Sequence, residues 1–165
     1  MDTDRTTTTN NVPTSINQAS EQLQLHHLTE WQDSSVTENL TTLNVVSLSG
    51  LTTHDYLLYA LPDKDRRNDG RLRDKLLQRY QHLEHGGWYI AGLDPESNWI
   101  DVMAWGRFKP DAPRTGTGGK LVKYESPPKT PNRVTYFRVP ISIWSQVASR
   151  YGIKLYHSPF KNVWT

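Results

Sequence analysis

The chain has 165 residues, a formal net charge of +2, a hydrophobic fraction of 35% and a mean hydropathy of -0.70. That length suffices for one domain with a real core, provided most of it folds. The absence of cysteine excludes disulfides and thiolate metal sites. No apolar run approaches the roughly 18 residues of a membrane span, and no apolar segment of a secretory signal follows Arg5, so a cytoplasmic protein without membrane attachment is expected.

In chain order, the polar run Thr6-Thr7-Thr8-Thr9-Asn10-Asn11 has little to bury. Residues 1 to 38 are accordingly expected to form a disordered, polar and acidic tail, and residues 39 to 165 a single domain. Leu40 to Leu51 is short and β-branched and reads as a strand. Tyr56 to Leu61, preceded by Thr52-Thr53-His54-Asp55, reads as a helical turn or two stopped by Pro62. A charged loop, Asp63 to Gly70, follows.

Leu72, Leu76, Leu77, Tyr80 and Leu83 fall on one helical stripe, with Asn68 or Asp69 as a cap and Gly86-Gly87 as the stop. Its other side carries Arg71, Arg73, Lys75 and Arg79, which suit either phosphate contact or a solvated helix face. Trp88 to Leu93 and Trp99 to Phe108 read as a β-hairpin about the turn Asp94-Pro95-Glu96-Ser97-Asn98. Lys120 to Glu125 and Arg133 to Val139 add a third and a fourth strand, and Ile153 to Tyr156 a last one. Between them Pro140 opens a helix over Ile141, Trp144, Val147, Ala148 and Tyr151 that Gly152 closes. The sum is an α+β fold, an antiparallel sheet of about four strands with helices packed on one side.

The small net charge hides a gradient. Residues 1 to 60 hold one basic residue against seven acidic ones, whereas residues 107 to 165 hold eleven basic residues against Asp111 and Glu125, or +9. That gradient suits a polyanion binder, and equally a solvated basic surface balanced by an acidic tail.

Specific chemistry is harder to find. The loop before Lys120 fails the phosphate-binding pattern G-x-x-x-x-G-K-[ST], with Arg114 at the first glycine position and Leu121 at the hydroxyl position. A hairpin loop is the better reading. Asp63-Lys64-Asp65 has the spacing of a Mg²⁺ pair but no partner carboxylate. His82 and His85, and the adjacent His26 and His27, match no metal-binding motif, and no serine sits in a nucleophile elbow. No metal, cofactor or catalytic set is therefore assigned.

The surviving signal is rings interleaved with cations. In a strand, Trp105, Arg107 and Lys109 would share one face with Phe108 on the other. Lys123-Tyr124 and Tyr136-Phe137-Arg138 repeat the pairing. Single-stranded nucleic acid is held by such surfaces, through bases stacked on rings and cations along the backbone. Core packing would bury the same rings, and at least half are expected to be core.

The runs Arg66-Arg67-Asn68-Asp69-Gly70-Arg71-Leu72, Gly86-Gly87-Trp88, Gly92-Leu93-Asp94-Pro95, Trp105-Gly106-Arg107-Phe108-Lys109-Pro110-Asp111, Pro113-Arg114, Gly119-Lys120, Lys123-Tyr124-Glu125-Ser126-Pro127-Pro128 and Arg150-Tyr151-Gly152-Ile153 resemble the N-terminal region of cyanobacterial-type plasmid replication proteins. The resemblance covers about residues 40 to 160. Those large proteins carry a primase-like Toprim domain after this region, beginning with an apolar strand that ends in Glu-Gly. Thr165 comes before any such strand, so the metal-binding carboxylates and the helicase portion are expected to be missing.

The resemblance implies a replication context and contact with DNA. The expected function is a non-catalytic nucleic-acid-binding module, with phosphates met by Arg107, Lys109, Arg114, Lys120, Lys123, Arg133 and Arg138 and bases by Trp105, Tyr124 or Tyr136. The alternatives are a module that docks on a separate Toprim or helicase replication partner, or a truncated fragment without independent function.

Overall fold

The computed structural model describes residues 23–97, 99 and 101–154. Its centre is Gly87–Ile90 (β2), a strand whose four residues are all buried. Val45–Leu48 (β1) and Arg107–Pro110 (β3) flank it, both antiparallel, in the order β1-β2-β3. The register aligns Val46, Tyr89 and Phe108 across the sheet, and one step along Ser47, Trp88 and Lys109. Because side chains alternate along a strand, this register separates the sheet's two faces.

Val46, Leu48, Tyr89 and Phe108 form the first face. They pack with Leu57, Leu58, Leu61, Leu72, Tyr80 and Leu83 in the main core. Those residues come from Thr52–Leu57 (α3), from Asp74–Tyr80 (α4) and from the connections beside them. Val45, Trp88 and Ile90 lie on the second face and meet Leu23 and Trp31. Trp31 belongs to Leu25–Asp33 (α1), a helix inside the stretch expected to be a tail. From residue 23 onward that expectation is corrected. Leu23, His27 and Trp31 recur every four residues, and that stripe is what α1 lays on the sheet. Residues 1–22 lie outside the described residues.

The α+β class and the antiparallel sheet are as expected, with three strands instead of four and α1 added on the second face. Leu40 to Leu51 divides into a helix, Glu38–Asn44 (α2), and β1. Thr41 and Thr42 donate to the carbonyls of Thr37 and Glu38 at 3.0 and 2.9 Å, so their hydroxyls are satisfied within the helix despite their strand propensity. The long helical stripe is realised as α4 plus a 3-10 turn over Gln81–His85, ended by Gly86 at φ 101. Its N-cap is Arg73, not Asn68 or Asp69. Asp69 instead accepts the Arg71 N–H at 3.0 Å in a local turn.

The hairpin expected from Trp88 to Phe108 is real in its β2–β3 pairing, but its outer part is reduced to the single bridge Leu93 to Val102. Lys120 to Glu125 is not a strand and pairs with the sheet through one bridge, where Glu125 and Phe108 exchange backbone hydrogen bonds of 2.8 and 2.9 Å. Arg133 to Val139 is not a strand either. The Asn44 amide accepts the Arg138 N–H at 2.7 Å and donates to the Arg138 carbonyl at 2.9 Å, taking the place of a neighbouring strand. Ile141–Tyr151 (α5) is the helix expected, closed by Gly152 in the left-handed conformation. Ile153 and Lys154 form no strand, and the rest of that expected strand lies outside the described residues. No helix among the described residues is long and apolar enough to cross a membrane.

Candidate nucleic-acid interface

The second face of the sheet ends at β3, where Arg107 and Lys109 project from the same side and Phe108 is fully buried on the other. The bridge from Phe108 to Glu125 sets Tyr124 opposite Lys109 on that second face. Tyr124 accordingly meets Trp88 edge-on, with ring centroids 6.0 Å apart. Trp88 in turn meets Trp31 at 5.0 Å, and Trp31 meets Phe137 at 6.1 Å. Four rings thus form a continuous row, Tyr124, Trp88, Trp31 and Phe137. The inner two are packed while the outer two are 47% and 41% exposed.

Glu30 on α1 ties the row together. One carboxylate oxygen accepts the Trp88 indole N–H at 3.1 Å, and the other pairs with the Lys109 ammonium. The Trp31 indole N–H is buried with no partner among the described residues.

The candidate cations and rings from the sequence separate into three groups. Arg107, Lys120 and Lys123 are exposed and pair with no group among the described residues. Lys123 is next to Tyr124, Arg107 is on β3, and Lys120 follows the 3-10 turn Thr117–Gly119 at the loop tip. These remain available to an external anion.

Other cations are already engaged inside the protein. Lys109 is held by Glu30, and Arg114 donates to Glu125 through Nε at 2.6 Å and Nη2 at 3.3 Å. That hydrogen bond to Glu125 raises the Arg114 pKa above its ordinary value, against the opposing effect of partial burial. Glu125 also faces His82 Nε2 at 3.1 Å, so one nearly buried carboxylate neutralises Arg114 and orders the loop from the first face. Arg133 stands 3.6 Å from Glu96. Arg138 is fixed by Asn44 through its backbone alone, and its guanidinium has no ion pair among the described residues.

Trp105 is the clearest departure from expectation. It precedes β3, is 4% exposed, and belongs to the interior, so it is not a surface on which a base could stack. Its neighbour Gly106 lies against the Tyr89 ring, which leaves no room for a side chain. Tyr136 packs edge-on against Trp99 at 4.7 Å, away from the row of four rings, while its carbonyl accepts the Leu93 N–H. Asp65, from the Asp-x-Asp run, pairs with Lys129 at 3.0 Å. The structure therefore brings together Arg107, Lys109 and Tyr124, with Lys123 beside them, and leaves Trp105, Arg133 and Tyr136 elsewhere.

Glu30, Trp31 and Phe137 were not singled out as site residues from the sequence. The four-residue spacing of Leu23, His27 and Trp31 was the available signal, masked by the polar composition around it. A second cluster also involves α1: His26, His27 and Asp111 place one donor atom each within 4.8 Å of one another.

No family model matches the chain, and no solved structure matches it. It is similar to an uncharacterized protein of Picosynechococcus sp. (strain ATCC 27264 / PCC 7002 / PR-6), 41% identical over 131 residues. Those residues are 78% of this chain but 13% of the relative, so the chain is similar to a small part of a much longer protein.

Proposed function

We propose that this chain is a non-catalytic nucleic-acid-binding module of a plasmid replication system, acting in the cytoplasm and contacting DNA through the second face of its sheet. The row Tyr124, Trp88, Trp31 and Phe137 carries the reading. Its exposed terminal rings offer stacking surfaces, and Arg107, on the same face of the sheet, and Lys123, next to Tyr124 in sequence, have no ion-pair partners among the described residues. Stacking of a base on an aromatic ring contributes about 1–3 kcal/mol, and unpaired cations supply the salt-sensitive attraction to phosphates. The resemblance to the leading region of plasmid replication proteins supports the same context.

Fluorescence anisotropy with labelled single-stranded and double-stranded DNA tests this at two salt concentrations. Binding is expected to fall with salt, and joint Arg107, Lys120 and Lys123→Ala substitution should flatten the log–log slope for single strands by about 2, from three phosphate contacts. Tyr124→Ala should weaken binding at every salt concentration without changing the slope. A folded protein that binds neither DNA at low salt defeats the proposal.

One observation favours a second reading, docking on a replication partner. Val134, Phe137, Ile141, Tyr151 and Ile153 are all exposed, and α5 buries only Ala148. An apolar stretch of that extent suits contact with another protein surface or with a neighbouring part of a longer chain. Failure to bind DNA together with loss of partner binding on Ile141→Asp and Tyr151→Asp substitution would favour it.

A further inference from the structure

Successive residues on a helix point about 100° apart, so two adjacent histidines converge on a shared group only when it lies in the angle between them. Asp111, the residue after β3, occupies that angle for His26 and His27 of α1. His27 Nε2 is 2.9 Å from one carboxylate oxygen, His26 Nε2 is 3.5 Å from the other, and the imidazole centroids are 3.9 Å apart. We propose that His26, His27 and Asp111 form a binding site for a divalent transition-metal ion of the Zn²⁺ class. This goes beyond the nucleic-acid reading and does not depend on it.

The spacing is suitable. Around an ion with bonds of about 2.0–2.2 Å, neighbouring donors stand about 3 Å apart, so small side-chain rotations suffice to admit it. Two imidazoles and one carboxylate favour Zn²⁺, Co²⁺ or Ni²⁺ over Mg²⁺ or Ca²⁺, which prefer all-oxygen sites. Three protein ligands leave at least one position for water or another ligand. The His26 side, 60% exposed, is where it would open.

The surroundings hold the donors as a ligand shell does. His27 is 1% exposed, and its Nδ1 lies 2.7 Å from Ser47 Oγ on β1. Ser47 Oγ also accepts the Gln24 N–H at 2.8 Å. When that oxygen accepts the Nδ1 proton as well, the Nε2 lone pair faces the gap, the tautomer a metal requires. When the serine O–H donates to Nδ1 instead, Nε2–H donates to Asp111, the arrangement that suits the metal-free state. Asp111 is positioned separately, its N–H donating to the Gly86 carbonyl at 3.0 Å. The ion would join α1 to the end of β3, one helical turn from Glu30.

The test uses the full chain after treatment with a chelator, titrated with Zn²⁺ by calorimetry and with Co²⁺ by visible absorption. One ion per chain is expected, with a rise in Tm and Co²⁺ bands that report imidazole ligation. His26→Ala, at an exposed position, should change the metal-free Tm little while weakening affinity at least about tenfold, and Asp111→Asn should weaken affinity by a similar factor. Ser47→Ala should weaken affinity by about 10- to 100-fold, the effect of losing a group that orients a ligand. Absence of stoichiometric binding to the wild-type chain overturns the proposal. So does binding that His26→Ala and Asp111→Asn leave unchanged, which would place the ion on other histidines. DNA binding measured with and without Zn²⁺ is a separate readout, so failure of either reading is distinguishable from failure of the other.

Discussion

Tyr89 shows how tightly single residues are determined in the main core. Its ring meets Tyr56 edge-on at 5.1 Å and its hydroxyl donates to the Ala104 carbonyl at 3.1 Å. Burial, reinforced by the neighbouring phenols of Tyr59 and Tyr56, pushes its pKa far above the usual tyrosine value. An unfolded tyrosine ionises near pH 10 while the folded one resists. Its contribution to stability is therefore complete below about pH 10 and is lost as pH rises beyond it toward the folded value. Urea melts at pH 9 and pH 11 should show a larger alkaline loss for the wild type than for Tyr89→Phe, which at neutral pH should cost about 0.5–1.5 kcal/mol for the lost hydrogen bond. Gly106→Ala acts on the same ring, since a Cβ there would lie 2.6 Å from Tyr89 Cε2. It should destabilise by about 3 kcal/mol or more, read by chemical denaturation, because neither the strand nor the buried ring has room to retreat.

Among the elements, α1 depends most on a few side chains. Glu30 satisfies the buried Trp88 N–H and also pairs with Lys109. Glu30→Gln keeps an acceptor for the indole and loses only a half-exposed ion pair, so it should cost no more than about 1 kcal/mol. Glu30→Ala leaves the indole donor unsatisfied and should cost about 1–3 kcal/mol. Denaturation followed by tryptophan fluorescence distinguishes the two, and equal costs would mean that the Trp88 hydrogen bond contributes nothing. On the opposite face, Glu125 holds Arg114 and His82 while its backbone pairs with Phe108. Glu125→Ala should cost about 2–3 kcal/mol, since it strands a partly buried guanidinium and frees the loop from residue 111 to 125.

At the scale of the whole molecule, the placement of α1 changes where the domain begins. A chain starting at residue 39 would lack Trp31 and His27 and leave Trp88, Val45 and Ile90 uncovered on one side of the sheet. Such a fragment should unfold at a lower temperature than one starting at residue 23 and should self-associate through the bare face, as thermal melts and light scattering would show. Equal melting temperatures would mean that α1 is an appendage. The charge gradient also reads differently in three dimensions. Lys109, Arg114, Lys129 and Arg133 each find an acidic partner, so the basic half presents fewer available cations than its composition suggests.

Local chemistry alone determined several features of this protein. Pro140 and Gly152 bound a helix of the right periodicity, Gly86 stops the preceding one, and the short β-branched and aromatic runs at Val45, Trp88 and Arg107 become strands in an antiparallel, α+β arrangement. These rest on backbone preferences acting over a few residues. Tertiary structure decided the rest. The same aromatic and basic pattern puts Trp105 in the interior and Tyr124 on the surface, because burial depends on which strand or helix lies opposite. Arg133 to Val139 has strand propensity, yet its backbone groups are taken by Asn44 and Leu93. His26 and His27 are 85 and 84 residues from Asp111, and only the docking of α1 beside the end of β3 brings them together. Contacts between residues so far apart leave no local pattern, since they depend on the packing of the whole chain and not on the preferences of any segment.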